Sequence, residues 1–319
     1  MSPLIINAII FGTGLLVLIY SSDWFIQSSV RLSYLLKLSP LFIGLVIVAF
    51  GTSAPEGGVG IMAAIHNREG IALGNIIGSN IANIGLILGV CALISPLKVN
   101  KDALRRELPI MIAAVLLLFV LSFDLVLSRS DGLILLACFF AFLITSYKGA
   151  KEFFDPSEIE GFEFRAIFKK SNTIRVAFFI SFLSLLGVVL GADLMVRGGA
   201  NLAKYFGVSP WVIGITVFAI GTSLPELAAS LVAAQKKMSS ISVGNVVGSN
   251  IFNILLVLGV VACIRPIHID ASILRFELLV LLLFSVVAFV FMKTRHGIGR
   301  REGAIFFLGY LIFLIILFK

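Results

Sequence analysis

Two segments of the sequence place a glutamate directly after a proline inside an otherwise apolar stretch. They read GTSAPE at residues 51–56 and GTSLPE at residues 221–226. If such a stretch crosses a bilayer, an ionised carboxylate there costs roughly 3 kcal/mol or more, so it faces a cavity and a partner charge. No predicted span places a lysine or arginine at the depth of Glu56 or Glu226. The compensating charge is therefore predicted to be a bound cation or protons.

The prolines themselves are expected to break the helices that carry these glutamates. Pro55 and Pro225 lack a backbone N–H and clash with the preceding turn. Carbonyl oxygens left free deep in a membrane are tolerated where they line a cavity, and here they would supply ligands. The carbonyls predicted to be freed lie near Ala49, Thr52, Ala219 and Thr222.

A polar stripe follows each glutamate segment. Residues four apart share one face of a helix, and this spacing is kept by Asn75, Ser79 and Asn83 in the first segment and by Asn245, Ser249 and Asn253 in the second. Gly74 with Gly78, and Gly244 with Gly248, form small-xxx-small seams that let helices approach closely. Each stripe is therefore predicted to reach the bend that bears a glutamate.

The candidate ligands are all oxygens. Besides the two carboxylates and the carbonyls, hydroxyl and amide oxygens come from Ser53, Ser223, Asn83 and Asn253. Histidine and cysteine are absent from this set, so a hard cation is favoured, and flexible oxygen ligands suit Ca²⁺ better than Mg²⁺. The set also suits Na⁺. Two negative charges balance one Ca²⁺, two Na⁺ or two protons, and competition for one such site would produce exchange.

The composition indicates what kind of chain positions these residues. Of 319 residues, 59% are hydrophobic and 13% are charged, whereas a soluble domain is nearer a quarter charged. Spanning helices need about 20 apolar residues each, and ten stretches qualify: 3–22, 40–65, 71–96, 108–127, 132–148, 174–196, 209–234, 241–264, 272–292 and 303–318. The fold predicted is an all-α polytopic membrane protein.

The chain contains a long internal repeat. Glu56 and Glu226 are 170 residues apart, and IALGNIIGSNIANIGLILGV at 71–90 aligns without gaps with ISVGNVVGSNIFNILLVLGV at 241–260. Each copy holds five spans, an odd number, so the copies must cross the membrane in opposite directions. Inverted repeats of this kind are typical of transporters. The predicted organisation is a five-helix repeat at 1–150, a cytoplasmic linker at 151–173 and a second five-helix repeat at 174–319.

The basic residues predict the orientation. Most of the 25 lysines and arginines lie in the loops that are cytoplasmic if both termini are extracellular or periplasmic. The predicted location is the cell membrane. Membrane lipid is the expected partner of the positive charge, nucleic acid is excluded, and no obligatory protein partner is indicated.

The paired motifs carry a resemblance. GTSAPE with GNIIGSNIANIG, and GTSLPE with GNVVGSNIFNIL, resemble the α-repeats of the cation/calcium antiporter superfamily, in particular its prokaryotic sodium/calcium exchangers. The resemblance implies ion sites between spans 2, 3, 7 and 8, with Glu56, Glu226 and the Thr52 and Thr222 carbonyls as calcium ligands. Sodium and water contacts are implied for Ser53, Ser79, Asn83, Ser223, Ser249 and Asn253, together with the Ala49 and Ala219 carbonyls.

The resemblance also implies a sliding gate formed by spans 1 and 6, which carry Asp23 and Asp193. From position alone, these aspartates are equally well explained as solvated helix ends. For Asn80 and Asn250, hydrogen bonding between helices is as good an explanation as ion binding. Asn253 is an aspartate in potassium-dependent relatives, so no potassium requirement is predicted.

The function predicted is secondary active antiport of Na⁺ against Ca²⁺ by alternating access, without a cofactor. A Ca²⁺/H⁺ antiporter of the same fold is the alternative, because both glutamates can bind protons. An intramembrane protease with paired carboxylates leaves the serine and asparagine stripes unexplained, and a passive channel does not account for a deep carboxylate pair. The chain is therefore predicted to be a transporter and not an enzyme.

Overall fold

The computed structural model describes residues 3–99, 103–152, 154–160, 162–165, 173–207 and 221–317. The first part of the predicted seventh span, with Ala219, lies outside these residues. The described chain is almost entirely helical, as its composition predicts.

The first half contains six longer helices and two short strands. In chain order they are α1 (Pro3–Leu36), α2 (Pro40–Thr52), α3 (Ala54–Ile65), α4 (Glu69–Ile94), β1 (Leu97–Lys98), α5 (Leu108–Leu121), β2 (Val126–Leu127) and α6 (Arg129–Glu152). A π-helical segment, Ala103–Glu107, directly precedes α5. A short 3₁₀ turn, Pro156–Glu158, lies in the connection to the second half.

The described part of the second half repeats this order at nearly constant spacing. Its elements are α7 (Ile174–Tyr205), α8 (Leu224–Gln235), α9 (Ser239–Ile264), β3 (Ile267–His268), α10 (Ala271–Arg275), α11 (Glu277–Arg295), β4 (Gly297–Ile298) and α12 (Arg300–Leu317). The helices α3 and α8 both begin at positions 170 residues apart, as the internal repeat predicts.

Six described helices are long and apolar enough to cross a membrane, and the bent pair α2 and α3 makes a seventh. The six are α1, α4, α6, α7, α9 and the segment Ala271–Arg295. The other predicted spans are not among these for different reasons. α5 is too short, α12 begins with three charged residues, and the seventh predicted span lies partly outside the described chain. The protein is a multi-pass membrane protein.

Helices α4 and α9 form the centre of the fold. In each of them 78% of the most apolar window is buried, against 11% in α1 and 28% in α7. The polar stripes on α4 and α9 are therefore enclosed by protein, whereas α1 and α7 turn much of their apolar surface outward. Spanning helices that lack lipid contact can carry polar groups at lower cost.

The predicted ends of the first and sixth spans were wrong. α1 continues to Leu36 instead of residue 22, and α7 continues to Tyr205 instead of residue 196. The extension of α1 is rich in polar residues, which lowers its hydropathy. Two of its serines are hydrogen-bonded inside the protein: Ser28 Oγ donates to the Phe25 carbonyl and Ser33 Oγ to the Leu38 carbonyl.

Glycines allow close packing at two helix pairs. A Cβ added to Gly191 of α7 would lie 2.5 Å from Leu18 N of α1, and one added to Gly244 of α9 would lie 2.6 Å from the Leu41 carbonyl of α2. Gly248 contacts α2 in the same way. The predicted small-xxx-small seam is thus confirmed on α9, and it brings α2 close to the stripe.

The two halves also pair with each other through short strands. β1 pairs antiparallel with β4, and β2 pairs antiparallel with β3, so each two-stranded sheet takes one strand from each half. The pairings are equivalent under exchange of the halves, because β1 and β3 occupy corresponding positions. These sheets tie the ends of α4 and α9 to the opposite half.

Candidate ion-binding site

The glutamates lie at two matching breaks in the helices. α2 and α3 meet at Ser53 with a bend of 45°, and Ser53 has φ −82° and ψ 3°. Ser223 has nearly the same backbone angles, φ −88° and ψ 3°, immediately before α8. Glu56 and Glu226 occupy the first turns of α3 and α8. Helix amino termini favour negative charge, so the predicted breaks place both carboxylates where backbone N–H groups point towards them.

Both carboxylates are buried and close to each other. Glu56 is 1% exposed and Glu226 is 0% exposed, and they are near enough that their carboxylates would repel each other if both were ionised. Ser53 Oγ donates to Glu226 Oε1 at 3.0 Å. Thr222 and Ser223 are the corresponding neighbours of Glu56. Each glutamate therefore faces the Thr-Ser pair of the opposite half.

Several oxygens around these carboxylates are buried without a hydrogen-bond partner among the described residues. They are both Glu56 oxygens, Glu226 Oε2, Ser223 Oγ, Ser249 Oγ, Asn83 Oδ1 and Asn253 Oδ1. Buried polar atoms are paired in the great majority of cases. Seven such oxygens, contributed by both halves, belong to the glutamate turns and to the polar stripes that reach them, which indicates a site for a positively charged ligand.

Asparagine pairs between α4 and α9 explain why the Oδ1 atoms are free. Asn83 Nδ2 donates to Asn250 Oδ1 at 3.1 Å, and Asn253 Nδ2 donates to Asn80 Oδ1 at 3.0 Å. Asn80 Nδ2 also donates to the Asn250 carbonyl at 3.4 Å. The interpretation of Asn80 and Asn250 as residues that bond between helices is confirmed. Because these bonds occupy the Nδ2 donors, Asn83 and Asn253 present their remaining oxygens.

The stripes reach the bends as predicted. Thr52 Oγ1 donates to Asn245 Oδ1 at 3.1 Å, and Thr222 Oγ1 donates to Asn75 Oδ1 at 3.3 Å. Ser79 Oγ lies 3.5 Å from Thr222 Oγ1. The residues named from sequence thus converge from α2, α3, α4, α8 and α9.

The Ala49 carbonyl is itself hydrogen-bonded, and its role as an ion ligand stays a prediction. Ser53 N donates to it at 2.9 Å, and Thr52 Oγ1 lies 3.4 Å away, so it is not a free carbonyl. The missing N–H belongs to Pro55, whose helical acceptor is the carbonyl of Gly51 and not that of Ala49. A carbonyl oxygen has two lone pairs, so Ala49 retains one for a ligand. Ala219 lies outside the described residues.

Basic side chains do not compensate the carboxylates in the described part of the chain, because none of its ion pairs includes Glu56 or Glu226. The same residues contain no group of three or more histidine, cysteine, aspartate or glutamate side chains that could hold a metal ion. The arrangement is instead two carboxylates among neutral oxygens. Chemically it can hold hard cations such as Ca²⁺ or Na⁺, or bind protons.

The aspartates of α1 and α7 lie along the helices and not at their ends. Asp23 pairs with Arg165 at 2.8 Å and with Lys236 at 2.7 Å. Asp193 pairs with Arg197 one turn away, at 2.8 Å. Asp23 therefore joins α1 to the linker and to the turn after α8, which sequence reasoning did not predict.

These features define a multi-pass membrane protein whose similar halves meet around buried carboxylates and unpaired oxygens. The chain belongs to the sodium/calcium exchanger family of the cation/calcium antiporter superfamily. A sequence model described as sodium/calcium exchanger protein matches residues 6–148 and 176–319.

Individual relatives agree with this assignment. The chain is 37% identical over 320 residues to a putative antiporter, CaxA, of Alkalimonas amylolytica, covering 99% of this chain and 100% of that protein. It is 33% identical over 347 residues to the sodium/calcium exchanger MaX1 of Methanosarcina acetivorans, covering 98% and 99%. A structure of the sodium-calcium exchanger NCX_Mj soaked with 10 mM Na⁺ and zero Ca²⁺ superposes with a TM-score of 0.85 at 33% identity, covering 98% of this chain and 99% of that one.

Proposed function

We propose that the protein is a secondary active antiporter that exchanges Na⁺ for Ca²⁺ across the membrane by alternating access. The observation that carries this proposal is the set of buried, unpaired oxygens from both halves around Glu56 and Glu226. The names of the relatives support it, since MaX1 and NCX_Mj are both called sodium/calcium exchangers.

The ligand roles are those that the resemblance to the antiporter superfamily implies, and charge and atom type agree with them. Glu56 and Glu226, with the Thr52 and Thr222 carbonyls, bind Ca²⁺, which takes six to eight flexible oxygen ligands. Neutral oxygens of Ser53, Ser223, Ser79, Ser249, Asn83 and Asn253, with the Ala49 and Ala219 carbonyls, serve Na⁺ and water. Two carboxylates balance one Ca²⁺ or two Na⁺, so both ions compete for the same charge.

Alternating access requires two halves that exchange conformations. We propose ten spanning helices in two inverted five-helix repeats, at 1–150 and 174–319, joined by a cytoplasmic linker at 151–173. The recurrence of elements 170 residues apart and the pairing of strands between the halves support this arrangement. Both termini are placed outside by the distribution of basic residues, which antibody access to a terminal tag on intact cells tests.

A proton-driven Ca²⁺ antiporter is the second candidate. Glu56 and Glu226 are buried next to each other, and two carboxylates so placed can share protons. The hydroxyls support Na⁺, because Ser223 Oγ and Ser249 Oγ are buried without partners among the described residues and add neutral oxygen ligands that a proton does not need. A bound Na⁺ ion can use those oxygens as ligands.

Proteoliposomes separate the two candidates. Purified protein is reconstituted with Na⁺ inside, and uptake of radioactive Ca²⁺ is measured with the internal and external pH equal and the membrane potential clamped. Uptake should require the outward Na⁺ gradient and stop when K⁺ replaces Na⁺. Uptake that ignores Na⁺ but follows an imposed pH gradient would establish the proton-coupled alternative.

A further inference from the structure

Two asparagines lie one helical turn before the stripe serines and contact the threonines of the opposite half. Asn245 on α9 accepts a hydrogen bond from Thr52, and Asn75 on α4 accepts one from Thr222. The chemistry proposed above assigns no ligand role to either asparagine. Their other hydrogen bonds differ, although the two residues occupy equivalent positions in the repeat.

Both polar atoms of the Asn245 side chain form hydrogen bonds. Its Oδ1 accepts from Thr52 Oγ1 at 3.1 Å, while its Nδ2 donates to Ser230 Oγ at 2.8 Å and to the Glu226 carbonyl at 3.3 Å. Asn245 and Ser230 are both 0% exposed. One side chain thus ties the end of α2, in the first half, to the first two turns of α8, which carry Glu226.

Asn75 accepts the equivalent hydrogen bond from Thr222 at its Oδ1, but its Nδ2 does not form bonds equivalent to those of Asn245. Its Nδ2 is buried without a hydrogen-bond partner among the described residues. The residue that corresponds to Ser230 is Gly60, which has no hydroxyl to accept that donor. Gly57 and Gly58 also replace Leu227 and Ala228 in the same helix, so α3 has more backbone freedom than α8.

We propose that Asn245 and Ser230 act as a positioning pair that holds Thr52 and Glu226 at the separation that binds Ca²⁺. The first half has no equivalent of this pair, because Gly60 stands where Ser230 does, so the turn that bears Glu56 is held less tightly than the turn that bears Glu226. A satisfied amide in a buried network fixes its neighbours, whereas an unpaired one does not. This inference rests on the proposed function and adds an asymmetry to it.

The experiment compares Asn245→Leu with the matched variant Asn75→Leu. Leucine fills a similar volume and removes all amide bonds. Equilibrium binding of radioactive Ca²⁺ to purified protein and Ca²⁺ uptake in proteoliposomes are measured for each. Because Asn245 makes three bonds and Asn75 makes one, we expect half-saturating Ca²⁺ to rise about tenfold or more for Asn245→Leu and about threefold or less for Asn75→Leu.

Ser230→Ala provides a milder second variant that keeps the helix intact, because alanine favours helices and deletes only the hydroxyl. We expect a rise in half-saturating Ca²⁺ of about threefold, the size of one lost hydrogen bond. A purely structural role would instead reduce the yield of monodisperse protein or the maximal rate and leave half-saturation unchanged.

The outcomes test the inference separately from the proposed function on which it rests. Wild-type protein that fails to bind Ca²⁺ overturns both. If the wild type binds Ca²⁺, equal effects of Asn245→Leu and Asn75→Leu overturn the inference alone, as does unchanged half-saturation in Ser230→Ala.

Discussion

The glutamate turns of the two halves are built from nearly the same residues, yet they are held differently. Glu226 accepts a hydrogen bond from Ser53, and its backbone carbonyl is bound by Asn245. Glu56 faces the equivalent pair, Thr222 and Ser223, but neither of its oxygens is in good hydrogen-bond geometry with a described residue. A repeated motif therefore gives two equivalent positions but unequal restraint, because the neighbours of the motif have diverged.

The aspartates of α1 and α7 show the same inequality further from the site. Asp23 is bound by Gln27, Arg165 and Lys236, and its side chain is 19% exposed. Asp193 is 44% exposed and has a partner on its own helix, Arg197. The linker supplies part of the difference, since Arg165 belongs to it and also packs over Trp24 with its guanidinium carbon 5.0 Å from the ring centre. Lys236, after α8, supplies the rest.

Removal of either carboxylate should have the largest effect. Glu56→Gln and Glu226→Gln each delete a hard anionic ligand, so Ca²⁺ exchange should fall about a hundredfold, as expected for loss of a buried charge partner. Both variants should fail despite their different restraint. Glu163→Gln, in the exposed linker, is the control. Normal uptake by either site variant would show that the site is misplaced.

A third carboxylate should change the ion dependence without abolishing transport. Asn253→Asp replaces the Nδ2 that donates to Asn80 Oδ1 by a group that is charged above and neutral below its titration range. We expect uptake to become more dependent on pH between about 5 and 8 than in the wild type. Asn201→Asp, on the exposed face of α7, is the control. An unchanged pH profile would argue against Asn253 as an ion ligand.

The comparison between Asp23 and Asp193 predicts unequal losses of stability. Asp23→Asn should lower the free energy of unfolding by about 1 kcal/mol, because it breaks charged hydrogen bonds between three segments, each partly screened by solvent. Asp193→Asn should cost about 0.3 kcal/mol, as for an exposed pair one turn apart. Thermal unfolding in detergent, followed by tryptophan fluorescence, measures both. Equal shifts would show that the linker contact contributes nothing.

The smallest expected effect concerns the glycines of α3. A Cβ added to Gly58 meets no atom within 4 Å, so Gly58→Ala should stabilise the protein by about 0.5–1 kcal/mol through the unfolded chain and helix propensity. The reciprocal change, Ala228→Gly, should destabilise it by a similar amount. Destabilisation by Gly58→Ala would indicate that α3 needs glycine there for another reason.

The sequence predicts the centre of the molecule better than its surroundings. The prolines, the glutamates and the four-residue spacing of the stripes are local patterns, and they predict the breaks at Ser53 and Ser223 and the approach of Asn75 and Asn245 to the threonines. The orientation of each asparagine amide is not determined by a local pattern. The pairing of Asn83 with Asn250 and of Asn253 with Asn80 depends on the packing of α4 against α9, which sequence spacing does not specify.

Two other features depend on contacts that sequence patterns do not show. The polar extension of α1 has low hydropathy, so its helix was predicted to end before Asp23, but packing against α7 and the linker compensates the polar residues. The linker was predicted only as a cytoplasmic connection between the repeats, because its sequence has no periodicity that indicates packing. Ile159 is 5% exposed and Phe162 and Phe164 pack on the same apolar cluster, because three scattered apolar residues suffice when a neighbouring surface accepts them.

Competition between the two ions tests the central claim most directly. Radioactive Ca²⁺ bound to purified protein is measured at equilibrium as Na⁺ replaces choline at constant ionic strength and pH. We predict complete displacement of Ca²⁺ by Na⁺, with half-saturating Ca²⁺ rising in proportion to more than the first power of Na⁺ concentration, because more than one Na⁺ must balance the two carboxylates. Ca²⁺ binding that is unaffected by Na⁺ but lost on acidification would contradict the account and establish proton exchange at Glu56 and Glu226.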